Sequence, residues 1–273
     1  MKPHPFDAAV ALTAQAAGQY TGKSSPAYWN MVGPFGGTTA ATAMNAVLLH
    51  PARLGEPIAL TVNYAGAMAS GPFTVSAVAA RTNRSTQHWV IEVSQTDAAG
   101  AMQVIVTASA VTAARRETWG VNDTPMPQVP PPADFARLKR GGGVEWVKRY
   151  EMRFVAGQVP TQWDGQGDDS LTQLWMRDDP PRVADFNSLT ALADVFFPRA
   201  WLRRATRVPA GTVSMTVYFH ADSEQLAGSG KGYLLGQARA QAFRKGFFDQ
   251  TGQLWNESGI LLATTHQIVY FKQ

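Results

Sequence analysis

The side chain with the sharpest claim to chemistry is the amide of Gln267. Period-two alternation along a strand at 260–271 puts it on one face with Leu261, Ala263, Val269 and Phe271. An amide in that company needs buried partners or a function. Three other places stand beside it. Asp194 falls in a helix-like stretch over 185–197, turned away from Leu192 and Phe196. Thr212 alternates with Ser214 and Thr216, opposite Val213, Met215 and Val217. Phe35-Gly36-Gly37 opens a small-residue helix over 34–50 that His50-Pro51 closes. Each has a plain structural reading as well. Asp194 and Thr212 suit solvated faces, and Gly36 and Gly37 suit close helix–sheet packing.

Several chemistries drop out. There is no cysteine, which removes disulfides, thiolate nucleophiles and thiolate metal sites together. No Gly-x-Ser-x-Gly elbow is present. Gly228-Ser229-Gly230-Lys231-Gly232 lacks the upstream glycine and the Ser or Thr of a phosphate loop, and reads as a hairpin loop. The five histidines show no i, i+4 pair, so a metal site is not expected, and no motif calls for another cofactor. A net charge of +4 favours anionic partners, but no zinc-finger or RNA-binding pattern supports nucleic acid. The N-terminus lacks a signal-peptide pattern, and no run approaches the ~18 apolar residues of a membrane span. A cytoplasmic protein is the expectation.

The elements that must position these residues come in two similar sets. Thr61-Val62-Asn63-Tyr64 leads to a turn at Asp97-Ala98-Ala99-Gly100, and Thr216-Val217-Tyr218-Phe219 leads to one at Asn256-Glu257-Ser258-Gly259. An internal duplication follows, with modules at 1–120 and 144–273 joined by a Pro/Gly-rich linker at 121–143. Strands are expected at 58–68, 72–81, 86–96 and 101–113, then at 145–155, 171–177, 211–220, 231–244, 246–255 and 260–271. One helix followed by antiparallel strands, twice over, is α+β. Exposed sheet edges leave association into a homo-oligomer open.

The motifs taken together resemble a known family. Phe35-Gly36-Gly37 at the first helix, Leu192-Ala193-Asp194 with Pro198 close behind, Thr212 ahead of Phe219-His220, and the closing Gly259-Ile260-Leu261-Leu262-Ala263-Thr264-Thr265-His266-Gln267 are similar to TesB-type acyl-CoA thioesterases. The resemblance implies a double hotdog, two tandem modules each with an antiparallel sheet wrapped around a long helix. It implies hydrolysis of acyl-CoA to a carboxylic acid and CoA. By the same resemblance Asp194 is the general base, with direct attack of its carboxylate on the thioester as the open alternative, Thr212 and Gln267 orient the water, and the Gly36 and Gly37 N–H groups meet the developing oxyanion. Ala108 holds in the first repeat the position of Gln267 in the second, so one site per chain is implied. An apolar slot with Met44, Phe196 and Phe197 would take the acyl chain, and Arg84 or Arg204 the nucleotide end. Two alternatives stand beside this reading. One is a non-catalytic acyl-CoA-binding protein on the same fold. The other is an enoyl-CoA hydratase, whose Asp and His about five residues apart are missing from both helices.

Overall fold

The computed structural model describes residues 2–139 and 143–272; Gly141 and Gly142 of the expected linker lie outside them. The first half contains α1 (Pro5–Ala9), β1 (Thr13–Ala16), β2 (Gln19–Lys23), α2 (Gly36–Leu48), β3 (Glu56–Tyr64), β4 (Pro72–Thr82), β5 (Thr86–Thr96) and β6 (Met102–Ala113). The second contains β7 (Tyr150–Ala156), β8 (Thr172–Asp178), α3 (Phe186–Leu192), α4 (Arg199–Arg204), β9 (Ala210–Phe219), α5 (Ser223–Gly228), β10 (Leu234–Arg239), β11 (Phe243–Arg244), β12 (Phe247–Asn256) and β13 (Leu261–Phe271). Among the described residues no helix is long and apolar enough to cross a membrane.

The strands form, among the described residues, one 13-stranded sheet in the order β1-β2-β4-β5-β6-β3-β9-β13-β12-β10-β8-β7, with β11 on β12. Its centre is the antiparallel seam of β3 and β9, where Thr61 faces Thr216 and their hydroxyls lie 3.0 Å apart. One row of opposed residues crosses the seam: Ile91, Ala108, Val62, Met215, Gln267, Gln250. Ala108 and Gln267 are thus equivalent by strand register, and only the second half carries polar groups in this row.

The two turns named in the sequence have the same construction. Asp97 Oδ1 accepts from the N–H of Ala99 and Ala101, and Asn256 Oδ1 from the N–H of Ser258 and Ile260. Gly100 and Gly259 close them at φ +84° and +82°, a region glycine enters without steric cost.

The core lies between the inner sheet face and α2 and α3. Most of α2 is enclosed, which its run of Ala and Thr permits by allowing close approach. The helices run antiparallel. Asn45 near the end of α2 accepts a hydrogen bond from Asn187 near the start of α3. At the other end a Cβ on Gly37 would meet the Ala191 carbonyl oxygen at 2.6 Å.

Four expectations need correction. The stretch 185–197 is no continuous helix: α3 ends at Leu192, and Asp194 and Val195 tighten to i→i−3 hydrogen bonds. The second helix is therefore short, 7 residues against 13 in α2. The strand expected from 145 begins at Tyr150 after a 3-10 turn, and 231–244 divides into β10 and β11. Gly228-Ser229-Gly230 ends α5 and forms no hairpin, because Asp222 and Gln225 build a capping box that nucleates a short helix there. The proline-rich segment is pinned to the second half, since Trp175 donates to Pro130 O and Trp255 to Thr124 O.

Candidate active site

A helix start normally has its first N–H groups capped by a Ser, Thr, Asp or Asn side chain. At α2 the capping position is Phe35, which cannot do this. Phe35 instead stacks on Trp146, ring centroids 4.2 Å apart. Asp194 comes to this end from another element: its carboxylate faces the Gly37 N–H, which favours its charge. The tightened end of α3 is what swings Asp194 toward the α2 start, where the helix dipole favours a negative charge.

Gln267 is 4% exposed on β13 and bonds on both sides. Its Nε2 donates to Asp194 Oδ1 at 2.9 Å and to Met215 Sδ at 3.4 Å. Its Oε1 accepts from Thr212 Oγ1 at 3.3 Å. The carboxylate oxygen, an acceptor only, turns Nε2 toward Asp194 and leaves Oε1 to accept from the Thr212 hydroxyl.

Thr212 reaches this face through a β-bulge. Gln267 pairs with Met215 and Ile268 with Ser214, but Val269 pairs with Thr212, so Val213 is the extra residue. Strict alternation would put Thr212 opposite Met215; the bulge brings both to the inner face.

Burial raises the Asp194 pKa to about 7, against the pull of the Gln267 amide and the Gly37 N–H. The residue as a whole is partly exposed, but its carboxyl group lies deep. Tyr64, which the sequence marks only as part of the repeated strand motif, donates from its hydroxyl to Gly36 O at 2.9 Å. Burial, then the Asp194 charge, push its pKa well up. Gln250 was missed too. It faces Gln267 across the β12–β13 pair and is 2% exposed. Its period-two placement on β12, beside Phe248 and Gly252 on the inner face, was the signal available.

The remaining candidates divide. Gly36 and Gly37 lie at the site, with the Gly37 N–H facing the Asp194 carboxylate. The Gly36 N–H has no hydrogen-bond partner among the described residues. Phe197 packs on Phe154 and Trp146, beside the Phe35 stack. Phe196 lies over Gly236, where a Cβ would come within 2.9 Å of its ring, and beside Gly252. Met44 is fully buried two turns into α2. Arg84 is not brought here. It lies between β4 and β5 at the Glu56 end of β3, about 26 Å along the strand from Tyr64. Arg204 ends α4.

A family model for the acyl-CoA thioesterase N-terminal domain matches residues 25–113, and one for the acyl-CoA thioesterase C-terminal domain matches residues 123–271. The chain belongs to the acyl-CoA thioesterase family. As a thioesterase it is a thioester hydrolase. It is similar to a crystal structure of a conserved hot dog fold protein of unknown function from Alicyclobacillus acidocaldarius, with 46% identity and TM-score 0.93 over 100% of this chain and 99% of that one. A putative thioesterase II from Thermobifida fusca YX matches at 18% identity and TM-score 0.80, covering 98% and 97%. The acyl-CoA thioesterase II TesB2 from Mycobacterium marinum matches at 16% and 0.77, covering 98% of each chain. The last two likenesses carry the fold alone, an α+β hotdog fold. A search of curated proteins found no match to this thioesterase.

Proposed function

We propose that this thioesterase hydrolyses acyl-CoA to a carboxylic acid and free CoA with Asp194 as general base. The observation that carries the reading is the hydrogen-bonded series from Thr212 through Gln267 to Asp194 at the start of α2. Water enters beside Asp194, which takes its proton as the water oxygen bonds to the thioester carbonyl carbon. The oxyanion that results meets the free Gly36 N–H at the positive end of α2. Collapse breaks the C–S bond, and the proton held by Asp194 passes to the departing CoA sulfur. Atoms balance: RCO–S–CoA and water give RCOOH and CoA–SH.

A carboxylate with a pKa near neutrality suits both halves of this cycle, since it accepts and returns a proton without a large energetic step. Thr212 and Gln267 are positioning residues: the hydroxyl holds the amide, and the amide holds Asp194. The acyl chain runs along the apolar surface of Phe196 and Phe197, with Met44 in the wall behind. Modules at 1–120 and 144–273, each half of a double hotdog, and a cytoplasmic location belong to the same proposal.

Thiol release from a panel of acyl-CoA thioesters tests it, with wild type beside Asp194→Asn. The expected result is turnover by wild type and a loss of about 100-fold or more in the variant. Equal, very slow release by both proteins would leave the non-catalytic acyl-CoA-binding reading in its place.

A further inference from the structure

A cavity of about 910 Å³ opens between the last turn of α4, the loop after β10 and the end of β13. Five cations surround it: Arg203, Arg204, Arg239, Arg244 and Lys245, against one carboxylate, Asp169. Arg239 holds Asp169 at 2.9 Å, and Arg203 donates to Gly167 O. The side chains of Arg204, Arg244 and Lys245 have no hydrogen bond or ion pair among the described residues. Three like charges gathered unpaired around one cavity repel one another and call for an anion. The floor is apolar, with Ala200, Ala240 and the rings of Phe243 and Phe271.

Lys245 is held at the rim by a tight two-residue turn. Arg244 pairs with Phe247, so only Lys245 and Gly246 turn the chain, at φ +48° and +79°. The left-handed conformation is unfavourable for lysine, and Asn or Gly is the usual occupant. The turn is also tied down, since the Phe271 N–H donates to Gly246 O at 2.7 Å.

The cavity and the reacting groups share the inner face of β13. Gln267, Val269 and Phe271 follow one another along it, and the four residues from Gln267 to Phe271 span about 13 Å. Six residues after Asp194 comes Ala200, where α4 packs on Phe248 and Val269 before presenting Arg203 and Arg204 at its far end. The pantetheine arm between a CoA sulfur and its first phosphate has a backbone comparable to four extended residues, roughly 13–15 Å.

We infer that this cavity receives the phosphate-bearing nucleotide end of the CoA thioester, with Arg204, Arg244 and Lys245 on phosphate oxygens and Phe243 and Phe271 beside the base. This rests on the acyl-CoA hydrolysis proposed above. It supplies what the reacting groups lack, a reason for the protein to distinguish a CoA thioester from a shorter one.

The test uses the variant Arg204→Gln/Arg244→Gln/Lys245→Gln, three exposed positions whose substitution leaves the core untouched. KM is measured for an acyl-CoA and for the pantetheine thioester of the same acid, and 3′,5′-ADP binding is followed by calorimetry. The expected result is a rise of about tenfold or more in KM for the CoA thioester, with the pantetheine thioester within twofold. 3′,5′-ADP binding should be lost in parallel. An unchanged KM for acyl-CoA overturns the inference. So does a loss of 3′,5′-ADP binding without a change in KM, which would make the cavity a site for a free nucleotide. If wild type hydrolyses neither thioester, the hydrolase reading fails, and the 3′,5′-ADP titration still decides the cavity.

Discussion

A methyl group added to Gly36 would lie 2.8 Å from Asp194 Oδ2, closer than a carbon and an oxygen can approach without displacement. Gly36 is therefore glycine because Asp194 occupies the space a side chain would need. Its φ lies outside the left-handed region, so alanine is acceptable to the backbone there and the conflict is steric alone.

Gly36→Ala isolates that conflict. Alanine favours a helix more than glycine does, so stability should change little. Asp194 should be pushed away from the Gly37 N–H, and kcat/KM should fall by about 10- to 100-fold. Kinetics beside thermal melting measure both; an alanine variant with full activity would show that the contact is slack.

The pH profile should carry the signature of Asp194. Its pKa of about 7 predicts that kcat/KM rises with pH and levels off above neutrality. Stability runs the other way. The folded state keeps a proton on Asp194 up to about pH 7, whereas the unfolded chain releases it near the ordinary carboxylate value of 3.8. Stability from this group is thus complete below that lower value and is lost as pH rises through 7, by at most about 1.4 kcal/mol per pH unit. The difference in unfolding free energy between wild type and Asp194→Asn, measured in urea from pH 4 to 8, should shrink with rising pH. A flat difference would mean that Asp194 is already ionised at pH 4.

Thr212 acts through Gln267, so the two should fail in graded fashion. Thr212→Val keeps the shape and removes the hydroxyl, freeing the amide to rotate; about a tenfold loss in kcat is expected with KM nearly unchanged. Thr212→Ser should restore most of the rate. Gln267→Ala removes the donor to Asp194 itself and should cost more. It should also raise the apparent pKa of the rate profile, because the Gln267 hydrogen bond favours the ionised carboxylate.

Arg199 is fully buried, and among the described residues it finds only neutral acceptors, the carbonyls of Phe197 and Ser170 and the Thr172 hydroxyl. Burial lowers its pKa to about 9, so it remains charged at neutral pH. It ties the start of α4 to the β8 end. Arg199→Ala leaves those acceptors unpaired, and a loss of about 2–4 kcal/mol in urea unfolding is expected. An unfolding midpoint equal to wild type would mean that water replaces the guanidinium freely.

Much of this protein was legible along the chain. Alternation gave β5 its limits, the paired Asp97 and Asn256 turns marked the duplication, and the amide of Gln267 stood out among apolar neighbours. These are local or periodic properties, set by the pleat of a strand and by the conformations that glycine alone enters easily. The family resemblance pointed to Asp194, Thr212 and Gln267 without giving their geometry. Tertiary structure decided the rest. Period-two counting placed Thr212 on the wrong face, because a bulge at Val213 depends on the partner strand and leaves no periodic trace. Asp194 was read into a helix that stops two residues earlier, since the end of α3 is drawn out toward the uncapped start of α2. The resemblance gives the Gly37 N–H to an oxyanion, and the fold also turns it toward the Asp194 carboxylate, more than 150 residues away. Strand pairing and helix-to-helix packing join residues remote along the chain, so their outcome depends on which surfaces meet.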